Sequence, residues 1–122
     1  MTHSKETGQL TDAELLRYAR QILLDGWDID AQLRLKASRV VMIGAGGLGC
    51  PASEMLVRAG LGQVQLIDDD VIEASNLQRQ TLFLPEDIGK PKALKAAHML
   101  TKINPLVRAR GNVARLSEEN AY

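Results

Sequence analysis

Val40-Val41-Met42-Ile43-Gly44-Ala45-Gly46-Gly47-Leu48-Gly49 joins a short apolar run to a glycine-rich turn, and a helix-like stretch follows at once. A run this short and apolar suits a strand buried on both faces of a parallel sheet. Gly44, Gly46 and Gly49 keep the G-x-G-x-x-G spacing. In that pattern one glycine allows the tight turn, one lets backbone approach a phosphate, and one lets strand and helix pack closely. N–H groups at the start of the next helix add the positive end of its dipole. The junction is built to hold phosphate, but alone it does not choose between a redox dinucleotide and ATP.

Working outward, Thr11-Asp12-Ala13-Glu14 fits a capping box. Leu15, Ala19, Ile22 and Leu23 continue at helical spacing, with Arg17 and Arg20 in the same helix, until Gly26 breaks it. Ile29 to Ala37 predicts a second short helix around Leu33. Beyond the glycines, Pro51 stands near the first helical position; Ala52, Met55, Leu56 and Ala59 form the predicted buried face, and Gly60 and Gly62 end the helix. Val64-Gln65-Leu66-Ile67 reads as a second strand leading into Asp68-Asp69-Asp70. Residues 71–90 resist regular assignment, and a loop this long inside a compact domain is often functional. Pro91 to Ile103 predicts a helix with Ala93, Ala96, Ala97, Leu100 and Ile103 on one face and Lys92, Lys95 and Lys102 polar. Val107 to Val113 supplies a third strand, and Ser117-Glu118-Glu119 looks like the opening of another helix. The reading is therefore α/β: a Rossmann-like parallel sheet, the first βαβαβ half of a doubly wound fold, preceded by two N-terminal helices.

A chain of 122 residues makes one domain at most. Fifteen basic and fifteen acidic residues leave a net charge of zero, so no global field draws it to nucleic acid or to an anionic membrane, and neither is expected as a partner. One cysteine, Cys50, excludes an internal disulfide and any Cys-x-x-Cys metal knuckle within the chain; it reads as a small buried hydrophobe. No metal-ligand set is assigned. Residues 1–10 are polar and read as a flexible tail, without the apolar core of a signal peptide. No stretch approaches the ~18 apolar residues of a membrane span, and the cytoplasm is the expected compartment.

Asp68 lies 19 residues past Gly49, at the end of the second strand, where an acid can accept hydrogen bonds from ribose hydroxyls. Dehydrogenases use the same arrangement. What separates the two readings lies downstream. Ser75-Asn76-Leu77-Gln78-Arg79-Gln80 places an amide and a guanidinium just beyond the acid, and Gly89-Lys90-Pro91-Lys92 places ammonium groups at a helix start. Cations converging on one pocket suit a triphosphate, whose oxygens gain charge as pyrophosphate leaves.

With these residues in hand, the chain resembles the ThiF/MoeB/HesA-type adenylyltransferases that activate ubiquitin-like sulfur carriers, a family that includes the ubiquitin-activating enzymes. The resemblance rests on Arg17-Tyr18-Ala19-Arg20-Gln21-Ile22, Gly44 to Gly49, Asp68-Asp69-Asp70, Ser75 to Gln80 and Gly89 to Lys92, five motifs in order across residues 11–122. Residues 11–122 are then the N-terminal part of an ATP-binding adenylyltransferase domain. The match looks strongest to the molybdopterin-synthase branch, with the thiamine-pathway branch very close in motif. It implies attack by a carrier's C-terminal glycine carboxylate on the α-phosphate of ATP, giving an acyl-adenylate and pyrophosphate. It further implies that Gly44, Gly46, Gly47 and Gly49 form the nucleotide loop. Asp68 would bind ribose, Asp70 and Ser75 would edge the site, and Asn76, Arg79 and Lys92 would contact phosphates. Arg20 on its own reads as an exposed helix arginine; the motif makes it the arginine that enters a partner subunit's ATP site, so a homodimer is expected. The resemblance also implies magnesium beside ATP, its aspartate ligand expected beyond these residues, while the family's zinc-binding cysteine pairs have no counterpart here. A noncatalytic nucleotide-binding or dimerisation module and an NAD-binding piece are the alternative readings.

Overall fold

The computed structural model describes residues 9–47 and 49–119. The expected tail lies almost wholly outside them. Thr11 caps α1 (Asp12–Arg17): its side chain accepts from the Glu14 N–H at 3.1 Å while Glu14 Oε1 accepts from the Thr11 N–H at 2.8 Å, so the capping box is present. The helix does not run on to Gly26 as the spacing predicted. It breaks at Tyr18 and resumes as α2 (Ala19–Ile22). The predicted apolar stripe is also turned outward, with Leu15 39% and Leu23 82% exposed, because the inward positions belong to Glu14 and Tyr18.

α3 (Ile29–Lys36) starts at Asp28, whose side chain accepts from the Ala31 N–H at 2.8 Å. A buried polar cluster fastens these helices to the rest. Gln32 Oε1 accepts from Gln21 Nε2 at 2.6 Å and from Trp27 Nε1 at 3.0 Å, and both glutamine amides donate to the Ala59 carbonyl. Asn104 Nδ2 donates to the Tyr18 hydroxyl and to the Val57 carbonyl. Such groups are costly to bury unless paired, and here they are paired.

β1 (Arg39–Ile43), β2 (Gln63–Asp68) and β3 (Arg108–Val113) form a parallel sheet in the order β1-β2-β3. α4 (Gly49–Ala59) links the first pair and α5 (Lys92–Ile103) the second. Two right-handed crossovers stepping in the same direction put both helices on one face of the sheet. The core lies there, formed by Cys50 and Val57 of α4, Val64 and Leu66 of β2, Ala96, Ala97 and Leu100 of α5, and Ile72, Leu82 and Phe83 of the loop. This corrects the expectation that β1 is covered on both faces. Val40 and Met42 lean on the helix side, whereas Val41 and Ile43 remain 56% and 55% exposed on the other.

The buried residues of α4 are Cys50, Ser53 and Val57; of the predicted face Leu56 packs against the core as read, while Ala52 and Met55 face solvent. The α5 face is as read, except that Lys92 is buried with Ala93, Ala96, Ala97 and Leu100. Residues 71–90 carry two short 3₁₀ turns, Ala74–Asn76 and Pro85–Asp87. Ser117-Glu118-Glu119 ends in a turn and not a helix among the described residues. No helix of the described residues is long and apolar enough to cross a membrane.

Candidate functional site: a glycine-loop cleft at the strand ends

The turn from β1 into α4 opens at the carboxyl end of the sheet, where ligands of open α/β sheets bind. Gly44 has φ +92°, a conformation that suits glycine. Its N–H donates to the Ile67 carbonyl of β2 at 2.8 Å, and the Ala45 N–H donates to Asp68 Oδ2 at 2.8 Å. A Cβ at Gly49 would collide with the Gly44 carbonyl, so helix and strand approach only because this residue has none. The Gly46 carbonyl accepts from the Cys50 N–H at 2.9 Å. The N–H groups of Gly46 and Gly47 have no acceptor among the described residues. They are the donors left over for an anion.

Gly44, Gly46, Gly47, Gly49, Ile43 and Arg79 line a cleft of about 580 Å³. The Arg79 side chain passes over Gly47, its Cδ and Nε 3.4 Å from where a Cβ would stand, and its Nη1 donates to the Ser75 carbonyl at 3.2 Å. The side chain is thus held beside Gly47 at the edge of the cleft. Asp68 lines none of that cleft but is joined to it through Ala45, and its Oδ1 accepts from the Asp70 N–H at 2.7 Å. Lys92, 7% exposed, holds its Nζ 3.9 Å from Asp70 Oδ2, and its N–H donates to the Asp70 carbonyl at 3.0 Å. The lysine that the sequence made polar is buried because α5 starts against the Asp70 loop.

Asn76 is buried and its Oδ1 accepts from the Glu73 N–H at 2.9 Å, a local cap of the 3₁₀ turn. Ser75 is exposed, and its carbonyl serves Arg79. Arg20 is exposed on α2 and lies outside the cleft. Burial pushes the Cys50 thiol above its ordinary range, more than Lys92 and the Leu82 backbone lower it, and Sγ donates to the Ala45 carbonyl at 3.3 Å. It is the small buried hydrophobe that the sequence reading made it.

Residues that the sequence reading did not weigh hold the loop in place. Asp87 is fully buried: its Oδ2 accepts from the Leu84 N–H at 2.8 Å and its Oδ1 faces Lys95 Nζ at 3.2 Å and Lys90 Nζ at 3.5 Å. Burial alone would raise its carboxyl, but the Leu84 N–H and the two ammonium groups outweigh that and hold it below the usual range. The only sequence signal was an acid three residues before Lys90 and eight before Lys95 in an irregular stretch.

The molybdopterin-synthase adenylyltransferase of Escherichia coli (strain K12) is 53% identical over 97 residues, 80% of this chain and 39% of that protein. The sulfur carrier protein ThiS adenylyltransferase of the same organism is 46% identical over 110 residues, 90% of this chain and 44% of that protein. The chain thus spans less than half the length of these curated relatives. Among solved structures, E. coli tRNA N6-threonylcarbamoyladenosine dehydratase, TcdA, in complex with ATP, superposes with a TM-score of 0.82 at 28% identity, covering 90% of this chain and 44% of that one. The family model matches residues 18–122, from the Tyr18 anchor to the last residue, and the chain belongs to the ThiF family.

Proposed function

We propose that this chain is the nucleotide-binding part of an enzyme that uses ATP to adenylate the C-terminal glycine of a ubiquitin-like sulfur carrier of the molybdopterin-synthase type. The observation that carries the reading is Arg79 lying over Gly47 beside two loop N–H groups without an acceptor. In this reading a carrier carboxylate oxygen attacks the α-phosphorus, the bond to pyrophosphate breaks, and pyrophosphate leaves with the electron pair. Gly46 and Gly47 donate to phosphate oxygens, while Arg79 and Lys92 offset the charge that builds on them. Each Asp68 oxygen keeps a lone pair beyond its backbone bond, which is what a ribose hydroxyl needs. Asp70 orients Lys92 at the rim, Ser75 anchors Arg79, and Asn76 acts by shaping the turn that carries both.

Arg20 is assigned to a second subunit. Gln21 beside it donates to the carbonyl of Ala59, at the far end of α4 from the glycine loop. The eleven residues of α4 give ten rises of about 1.5 Å, which separate the two ends by about 15 Å. The arginine is therefore remote from its own loop, and Leu16 of α1 and Leu23, just past α2, stand 83% and 82% exposed on the surface a homodimer would cover.

The carboxylates of Asp68, Asp69 and Asp70 lie within 4.8 Å of one another, a grouping that raises magnesium. They do not fit it. The one lone pair that each Asp68 oxygen keeps beyond its backbone bond is assigned to ribose, and the Lys92 ammonium stands beside Asp70. No metal step is assigned to these residues. The 46% identity to a ThiS adenylyltransferase favours a thiamine-pathway carrier as the second reading.

The test is exchange of labelled pyrophosphate into ATP, dependent on added carrier, by a protein that carries this chain. Arg79→Ala is expected to lower the exchange rate about 100-fold. Normal exchange by that variant, or tighter calorimetric binding of NADH than of ATP, overturns the reading.

A further inference from the structure

Arg79 and Gln80 are neighbours in sequence, and they stand over the Cβ positions of neighbouring glycines of the loop. Arg79 covers Gly47 from the open side, and Gln80, 3% exposed, stands behind Gly46 with its Nε2 3.7 Å from where a Cβ would be. The Gln80 backbone is fixed, its N–H donating to the Asn76 carbonyl at 2.9 Å and its carbonyl accepting from the Phe83 N–H at 3.2 Å. Its side-chain Oε1 is buried and has no donor among the described residues. A buried acceptor left unpaired costs stability that an apolar side chain of the same length would not. Packing therefore does not account for an amide at this position.

We infer that Gln80 is a positioning residue of the nucleotide cleft, its carboxamide backing Gly46 so that the Gly46 and Gly47 N–H groups stay directed at the phosphates. The inference rests on the nucleotide reading above, but it makes a claim about the empty loop as well. With Arg79 in front and Gln80 behind, the loop peptide is held between two consecutive residues of one turn, and the 3₁₀ turn at Ala74–Asn76 sets both.

Gln80→Met keeps the length and removes the unpaired oxygen. The variant is expected to melt no lower than the parent, to bind ATP about tenfold more weakly by calorimetry, and to lower the backbone amide order parameters of Gly46 and Gly47 without ligand from about 0.85 toward about 0.6. Unchanged ATP affinity together with unchanged order parameters overturns the inference. If the parent binds no ATP, the nucleotide reading falls; lowered order parameters in the ligand-free Gln80→Met chain still support the positioning role and unchanged ones still overturn it. Gln80→Glu gives a second route should the methionine variant not fold. A carboxylate behind the loop is expected to make ATP binding weaken with rising pH as the new group ionises, and affinity equal to the parent's across pH 5–8 overturns the role.

Discussion

A methyl group at position 49 would strike the Gly44 carbonyl, whereas one at position 46 would meet nothing closer than the Gln80 amide at 3.7 Å. The two glycines therefore serve different ends. Gly49→Ala is expected to lower stability by about 2 kcal/mol, while Gly46→Ala leaves the denaturation midpoint nearly unchanged and weakens ATP binding, because the added carbon stands where backbone meets phosphate. Urea unfolding and calorimetry on the two variants separate the effects, and equal midpoints would remove the distinction. At this scale the sequence was informative. The turn and packing roles of the motif fall to Gly44 and Gly49, since spacing along a strand-to-helix turn dictates which residue meets which; the approach to phosphate proposed for Gly46 and Gly47 is what the Gly46→Ala variant tests. Asn76 was less legible: a side-chain amide in a polar loop can face a ligand or cap its own turn, and only the backbone path decides.

Among the elements, the end of the 71–90 loop is fastened to α5 by one buried acid, Asp87. Asp87 and Glu14 both have carboxyls held below their usual range. For Glu14, burial opposes the shift and the Lys36 ammonium, 2.8 Å away, with the Thr11 N–H outweighs it. A carboxyl depressed by folding adds stability that is complete above its unfolded pKa, near 4, and is lost as pH falls through the lower folded value. Melting temperature is accordingly expected to drop below about pH 4. Lys95→Met is expected to lower the melting temperature by about 5 °C at pH 7, and the gap from the parent should narrow as the pH falls through the depressed range of the folded Asp87 carboxyl, whose ionised form is the one that Lys95 stabilises. A gap that stays constant with pH would mean that Lys95 acts through packing. Helix and strand positions were readable because apolar periodicity reports them. The break at Tyr18 was not, since the contacts that fix it run from Tyr18 to Asn104 and from Gln21 to Gln32 and Ala59, and polar pairs across the fold leave no periodic trace.

For the molecule as a whole, the sheet has one clothed face and one bare one. Val41, Ile43, Gln65 and Arg110 lie on the bare side, with Gln65 donating to Asn112 across the strands. The apolar run in β1 correctly signalled a strand but not how many faces these residues cover, because burial on the second face depends on what else is packed there. Exposed apolar positions on an edge strand invite pairing with another chain. Val41→Lys is expected to shift sedimentation toward the monomer at concentrations where the parent associates, and identical profiles would show that β1 takes no part. The order β1-β2-β3 has a consequence of its own. Each strand pairs with the one before it in sequence, across 24 residues for β1 with β2 and 45 for β2 with β3. The shorter link is the one that closes the glycine turn, so by loop-closure entropy shaping the cradle costs less than adding the strand that follows it.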